Sequence, residues 1–329
     1  MLPAARTTDA VACPAHGVTK VQGPGCPTVL IGNQPAAREG DVTSCGEAII
    51  RGCPTVLIGN ARAARMTEMV AQGGTVLGGF RRVLIGTPPV DARGDAIPVP
   101  PECRYLSHGL DGAPAASLDR LRSPAPMSPP VPGQHRFPGD STPSPAREYE
   151  VTVRGHRIKV IESVSGPPAG TWLPSPQMIA KALGVLPDEQ LAAVHAVVIS
   201  PNPSEKYPNA PAECTPDGEI RFFWRKVRHE QSDLDWTILH EAGHTYTHGW
   251  AANPGARTEW EEAMRSDGRP PTDLTDGEAA QDFSEAVVMY ALSKGTPCEA
   301  TARAIFPARY RILDRLYPNG FSQRKGPRS

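Results

Sequence analysis

The chain has almost no net charge: 34 Lys and Arg against 35 Asp and Glu leave a formal −1. Electrostatics therefore give no reason to expect nucleic acid or an anionic membrane surface as a partner. No apolar run approaches the roughly 20 residues needed to cross a bilayer, so no stable membrane span is expected. The N-terminal Met-Leu-Pro-Ala-Ala-Arg lacks the apolar core of a secretory signal, and export by the general secretory route is not expected. The seven cysteines show no obvious disulfide framework. What remains suits a soluble globular protein of 329 residues, long enough for two modest domains. Its 37 prolines and 31 glycines are unevenly spread.

The N-terminal third repeats itself. The run 25-GCPTVLIGN-33 recurs as 52-GCPTVLIGN-60, with a weaker copy at 79-GFRRVLIG-86. Val29, Val56 and Val83 are each 27 residues apart, the mark of a stacked or pseudo-symmetric unit. Each copy reads as a strand ended by a Gly-containing turn. Ala-Ala-Arg occurs at 4–6, 36–38 and 63–65; three residues beyond each Arg stand Asp9, Asp41 and Glu68, and seven beyond stand Cys13, Cys45 and Gln72. Equivalent positions of a three-fold β structure converge on one axis. Cys13 and Cys45, with His16 nearby, offer the thiolate and imidazole ligands that Zn²⁺ prefers. Gln72 is a poor ligand, which leaves His16 to complete the set.

Residues 1–90 resemble the PAAR-repeat proteins, the tips of type VI secretion spikes, through Pro-Ala-Ala-Arg and the repeated Gly-x-Pro-Thr-Val-Leu-Ile-Gly strands. The resemblance implies a small three-sided β cone, a metal near its apex, and a base that caps the VgrG spike trimer. Residues 91–148 are Pro-rich, as in 123-SPAPMSPPVPG-133, and read as an extended spacer. Cys103 and His108 lie in it and read as bystanders.

Residues 149–329 predict an α+β domain. A hairpin is expected across Arg154-Gly155, with strands at 196–200 and 219–224, the latter a candidate substrate-binding edge. Helices are expected at 175–194, 233–249, 257–266, 276–293 and 298–316. The helix at 233–249 carries 240-HEAGH-244. His240 and His244, one turn apart, can bind one Zn²⁺, while Glu241 is placed as general base toward water that the metal acidifies. Ala242 and Gly243 allow close packing beneath them. Thr247 and Trp250 stand where Met-turn peptidases continue with Gly and His, so that class is excluded. His248 reads as a rim histidine.

A third ligand is sought in 275-TDGEAAQDFSEAVVMYAL-292. Glu278 is preferred, with Asp282 one turn on to orient an imidazole; Glu285 is the alternative. Thr275-x-x-Glu278 also reads as a capping box. Tyr246, His248, Tyr290, Arg309 and Tyr310 are candidate oxyanion donors. The module resembles the gluzincin metallopeptidases: Glu278-Ala-Ala-Gln-Asp282 is similar to the Glu-x-x-x-Asp element of thermolysin-like members. Alternatively, 281-QDFSEAV-287 resembles the Glu-x-Phe-Ala-Glu-Ala element of lethal-factor-like toxins, with Gln281 in place of the ligating Glu.

Together the two resemblances imply a spike-tip effector that delivers a zincin-like metallopeptidase toxin into the periplasm or cytoplasm of a target cell. A cognate immunity protein, a protein or peptide substrate, and an adaptor or chaperone are the implied partners. Two other readings stand beside it: a structural tip with an inactive or partner-binding C-terminal domain, and a zinc amidase acting on peptidoglycan peptides.

Overall fold

The computed structural model describes residues 2–13, 16–86, 97–108, 118–207, 210–226, 228–272 and 277–321. The chain divides into two compact units, Met1–Pro98 and Val99–Ser329.

The repeats of the first unit are β-hairpins. Cys26–Ile31 pairs antiparallel with Gln34–Ala36, and Cys53–Ile58 with Ala61–Ala63. Each turn is a two-residue Gly-Asn with φ positive at both residues (57° and 63°, then 56° and 63°), the mirror-type turn whose twist matches a hairpin. The third strand, Phe80–Ile85, takes its partner from the start of the chain, Leu2–Ala4. The registers correspond: Cys26↔Ala36, Cys53↔Ala63 and Phe80↔Ala4.

At the centre, three backbone bonds close a ring. Ala5 donates to Ala64 (3.0 Å), Ala64 to Ala37 (2.9 Å) and Ala37 to Ala5 (2.9 Å). All three alanines are buried, as are Ala4, Ala36 and Ala63 beside them. Side chains that meet so near an axis must be small, which is the physical reason for the repeated Ala-Ala. Arg6, Arg38 and Arg65 then pair with Asp9, Asp41 and Glu68, three residues on in each repeat.

The second unit is a six-stranded mixed sheet covered by helices. Its elements are β1 (Val131–His135), β2 (Ser144–Val153), β3 (His156–Ser163), α1 (Pro176–Leu183), α2 (Asp188–Ala193), β4 (Ala196–Ser200), β5 (Ala212–Cys214), β6 (Glu219–Phe223), α3 (Gln231–His248), α4 (Pro254–Asp267), α5 (Ala279–Ser293), α6 (Glu299–Ile305) and α7 (Pro307–Leu316). The strand order is β1-β2-β3-β4-β6-β5, parallel at β3/β4 and β4/β6 and antiparallel elsewhere. Arg154 (φ 47°) and Gly155 (φ 88°) make the turn of the expected hairpin. The helix expected over 175–194 divides after Gly184, and that over 298–316 divides at Pro307, whose ring cannot continue the preceding turn.

Three expectations are corrected here. The Pro-rich run 91–148 is not a free spacer throughout. Residues from Val99 onward belong to the second unit, β1 is one edge of its sheet, and Leu118 and Leu121 are buried. Proline is tolerated in β1 because an edge strand leaves one row of backbone groups unpaired. Cys103, read as a bystander, is buried in a disulfide with Cys298. The strand at 219–223 is not an edge: β4 and β5 flank it, and β5 is the edge on that side.

A buried ion group holds the helices together. The Arg309 guanidinium donates to both Asp282 oxygens (2.7 and 2.8 Å) and to Asp267 (3.1 Å), and Trp260 Nε1 donates to Asp282 at 3.1 Å. Removing one side of a buried pair strands the other charge in a low dielectric. Asp282→Ala is therefore expected to lower the unfolding free energy by about 3–5 kcal/mol, measured by urea denaturation.

Candidate metal centres

In α3 the sequence does what its spacing predicts. His240 and His244 lie on one face, and their Nε2 atoms approach to 3.2 Å. Behind them, Gly243 sits against Ser284 of α5; a Cβ at Gly243 would lie 3.0 Å from Ser284 Oγ and 3.1 Å from its Cα. That close approach brings the next residue of α5, Glu285, to the ligand helix. Glu285 Oε1 lies 2.8 Å from His240 Nδ1, and its Oε2 accepts from Thr272 Oγ1 at 2.9 Å. A carboxylate on Nδ1 fixes the imidazole's orientation and leaves Nε2 facing His244.

Electrostatics differ sharply between neighbours. Burial by itself would lower the pKa of His240, but the Glu285 carboxylate outweighs it and holds it up at about 9. Burial lowers His244 to about 3, with His240 and His248 adding to the effect. Burial raises Glu241 to about 7. Edge strand β5 lies alongside: the Cys214 backbone hydrogen-bonds the Glu241 carboxylate, and its carbonyl lies 3.1 Å from His248 Nε2.

The third-ligand expectation fares differently. Glu278, preferred from the sequence, is exposed at the N-cap of α5, where its Oε2 accepts from the Gln281 backbone N–H at 2.9 Å. The carboxylate is used to cap the helix, with Glu278 itself as N-cap rather than the N3 residue of a Thr275 capping box; Thr275 lies outside the described residues. Glu285 reaches His240 from the Nδ1 side of the ring, the side away from the Nε2 pair. Asp282 binds Arg309 and Trp260 rather than an imidazole. Gln281 hydrogen-bonds His240 through its side chain. Among the described residues, no His, Cys, Asp or Glu joins His240 and His244 as a third convergent ligand. Two imidazoles with one tautomer fixed fit zinc, with the rest of the shell left to other donors.

The candidate oxyanion donors are mostly committed to packing. Arg309 is in the buried ion group, Tyr290 donates to Asp314 at 2.8 Å, and Tyr310 bonds Ser293. Tyr246 stacks on Phe283 with centroids 4.8 Å apart. His248, with its ring centroid 6.2 Å from that of His244, is the one next to the two imidazoles.

In the first unit, Cys13, His16 and Cys45 place their ligand atoms within 4.8 Å of one another, a group that could hold a metal ion. The sulfurs are 2.7 Å apart, and His16 Nδ1 is 3.3 Å from Cys13 Sγ. Burial pushes the Cys45 thiol up, but bonds with Cys13, Thr43 and Thr19 overcome it and hold it at about 7, so thiolate is accessible for binding zinc. The side chain of Gln72 lies outside the described residues. Leu30, Leu57 and Leu84, at matching strand positions, are exposed.

Sequence reasoning missed the role of Glu285 behind His240 and the disulfide. The first had a signal, an acid on the α5 face that meets α3. The second had none, because its cysteines are separated by 195 positions.

Zinc content of the full chain is expected to fall by about one equivalent in the Cys13→Ser/Cys45→Ser variant, and independently by about one in His240→Ala/His244→Ala. Gly243→Val is expected to force α3 and α5 apart and lower the second equivalent while sparing the first, as read by metal analysis.

Residues 1–51 match the family model described as PAAR motif. No curated protein matches the chain. The motif match supports a type VI spike-tip role, implies docking on VgrG, and agrees with a zinc site at Cys13, His16 and Cys45.

Proposed function

We propose that the chain is a type VI secretion effector whose tip unit carries a zinc-dependent metallopeptidase into a target cell. The observation that carries this reading is the convergence of His240 and His244 Nε2 at 3.2 Å beside the buried Glu241. When bound, zinc supplies a Lewis acid that polarises an amide carbonyl and acidifies a nearby water. His240 and His244 hold it, and Glu285 keeps His240 Nε2 turned inward. Glu241 takes the proton from the attacking water and returns it to the leaving amine. Edge strand β5 beside the helix gives an extended peptide a backbone to align against, which supports peptide as substrate. A cognate immunity protein that covers this site belongs to the same proposal.

A structural tip with an inactive C-terminal unit is the competing reading, favoured by the lack of a third His, Cys, Asp or Glu ligand among the described residues. The two separate on Glu241→Gln in the full chain, expressed in a susceptible bacterium. Toxicity is expected to vanish and peptide hydrolysis to fall about 10²–10⁴-fold, with zinc content unchanged. A variant as toxic as the parent rules out the peptidase.

A further inference from the structure

We propose that the Cys103–Cys298 disulfide is a latch that closes after the chain has reached an oxidising compartment, so that the C-terminal unit is built to work there. The compartment of action rests on the peptidase reading; the latch itself stands on the following contacts.

The stretch that precedes the sheet, described over 99–108 and 118–130, is a strap fastened to both helices of the His240–His244 site. Arg120 Nη2 donates to the carbonyls of Ala291 (2.5 Å), Leu292 (3.3 Å) and Lys294 (3.0 Å), at the end of the helix that carries Glu285. Arg122 pairs with Asp235 of α3 at 2.6 Å and donates to Lys181 at the end of α1 at 2.7 Å. Among the described residues, Tyr105, Leu106, Leu118 and Leu121 are the large apolar side chains it buries. Such a Pro-rich run has little apolar surface with which to dock. The covalent bond to Cys298, at the start of α6, supplements it.

Both sulfurs belong to buried residues, while Cys13, Cys26, Cys45, Cys53 and Cys214 remain thiols. The bond therefore forms while the strap is undocked and is shielded from reductants once it docks. The oxidant is a disulfide, carried by a dithiol oxidoreductase or a small molecule such as oxidised glutathione. One thiolate attacks it to give a mixed disulfide and releases one carrier thiol. The second thiolate then displaces the other carrier sulfur, so two protein thiols are oxidised as one carrier disulfide is reduced to two thiols. Disulfides persist in oxidising compartments and are rare in cytosol. The reducing cytoplasm that makes the chain thus keeps the strap unlatched.

The test uses the full chain. Exposed to oxidised glutathione, it is expected to yield a Cys103–Cys298 cross-linked peptide on mapping. Reduced with dithiothreitol in urea, where the buried sulfurs are open to it, and refolded under reducing conditions, the parent is expected to show a melting temperature of the C-terminal unit about 5–15 °C below that of the oxidised chain, with no such shift in Cys103→Ser/Cys298→Ser. If that variant does not fold, a glutathione redox titration of the parent reads the same transition. Both thiols free after oxidation, or a melting temperature indifferent to reduction, overturns the latch. In a susceptible bacterium, periplasm-directed chain is expected to lose at least about tenfold in toxicity on Cys103→Ser/Cys298→Ser. Equal toxicity from cytoplasm-directed chain overturns the compartment. A cross-link and thermal shift without any toxicity or peptidase activity upholds the latch and refutes the peptidase.

Discussion

Gly243 against Ser284 is the contact on which the C-terminal site depends. A glycine at that turn of α3 lets α5 approach so closely that even a Cβ there would be tight against Ser284. The approach delivers Glu285 to His240 Nδ1, and the carboxylate turns the ring so that Nε2 meets His244. A motif of two histidines and a glutamate is thus only part of the site. Its geometry is completed by a second helix whose own anchors are the Arg309 ion group and Thr272.

The tip unit solves a different problem, holding three strand pairs about one axis without a large core. Its solution is a ring of backbone bonds among Ala5, Ala37 and Ala64, with arginine–carboxylate pairs fixing the loops that follow. Beyond those loops, Cys13 and Cys45 are carried to one place. The same symmetry leaves Leu30, Leu57 and Leu84 uncovered, an apolar set suited to a docking face.

Much of this was legible in the residues, and the pattern of failures is physical. Periodicity at 27 residues and the Ala-Ala-Arg offsets located the strand-and-turn units and the cysteine pair, because both are local consequences of a repeat. His240 and His244 were legible because helical spacing alone brings them together. Glu278 was preferred as a ligand because a carboxylate at a helix start serves two chemistries equally well in sequence; in the structure it caps α5. The Pro-rich segment was misread because composition reports how little a segment can bury, not what a distant helix offers it. Arg120 and Arg122 dock through backbone carbonyls and Asp235, contacts that leave no periodic trace.

The strand Leu2–Ala4 pairs with Phe80–Ile85, so the first residues of the tip wait for its last. During synthesis the opening strand has no partner until some eighty residues have followed it. Such long-range closure is slow compared with helix formation. The tip therefore completes itself as one event, once its third repeat has left the ribosome and while the helices of the second unit are still to come.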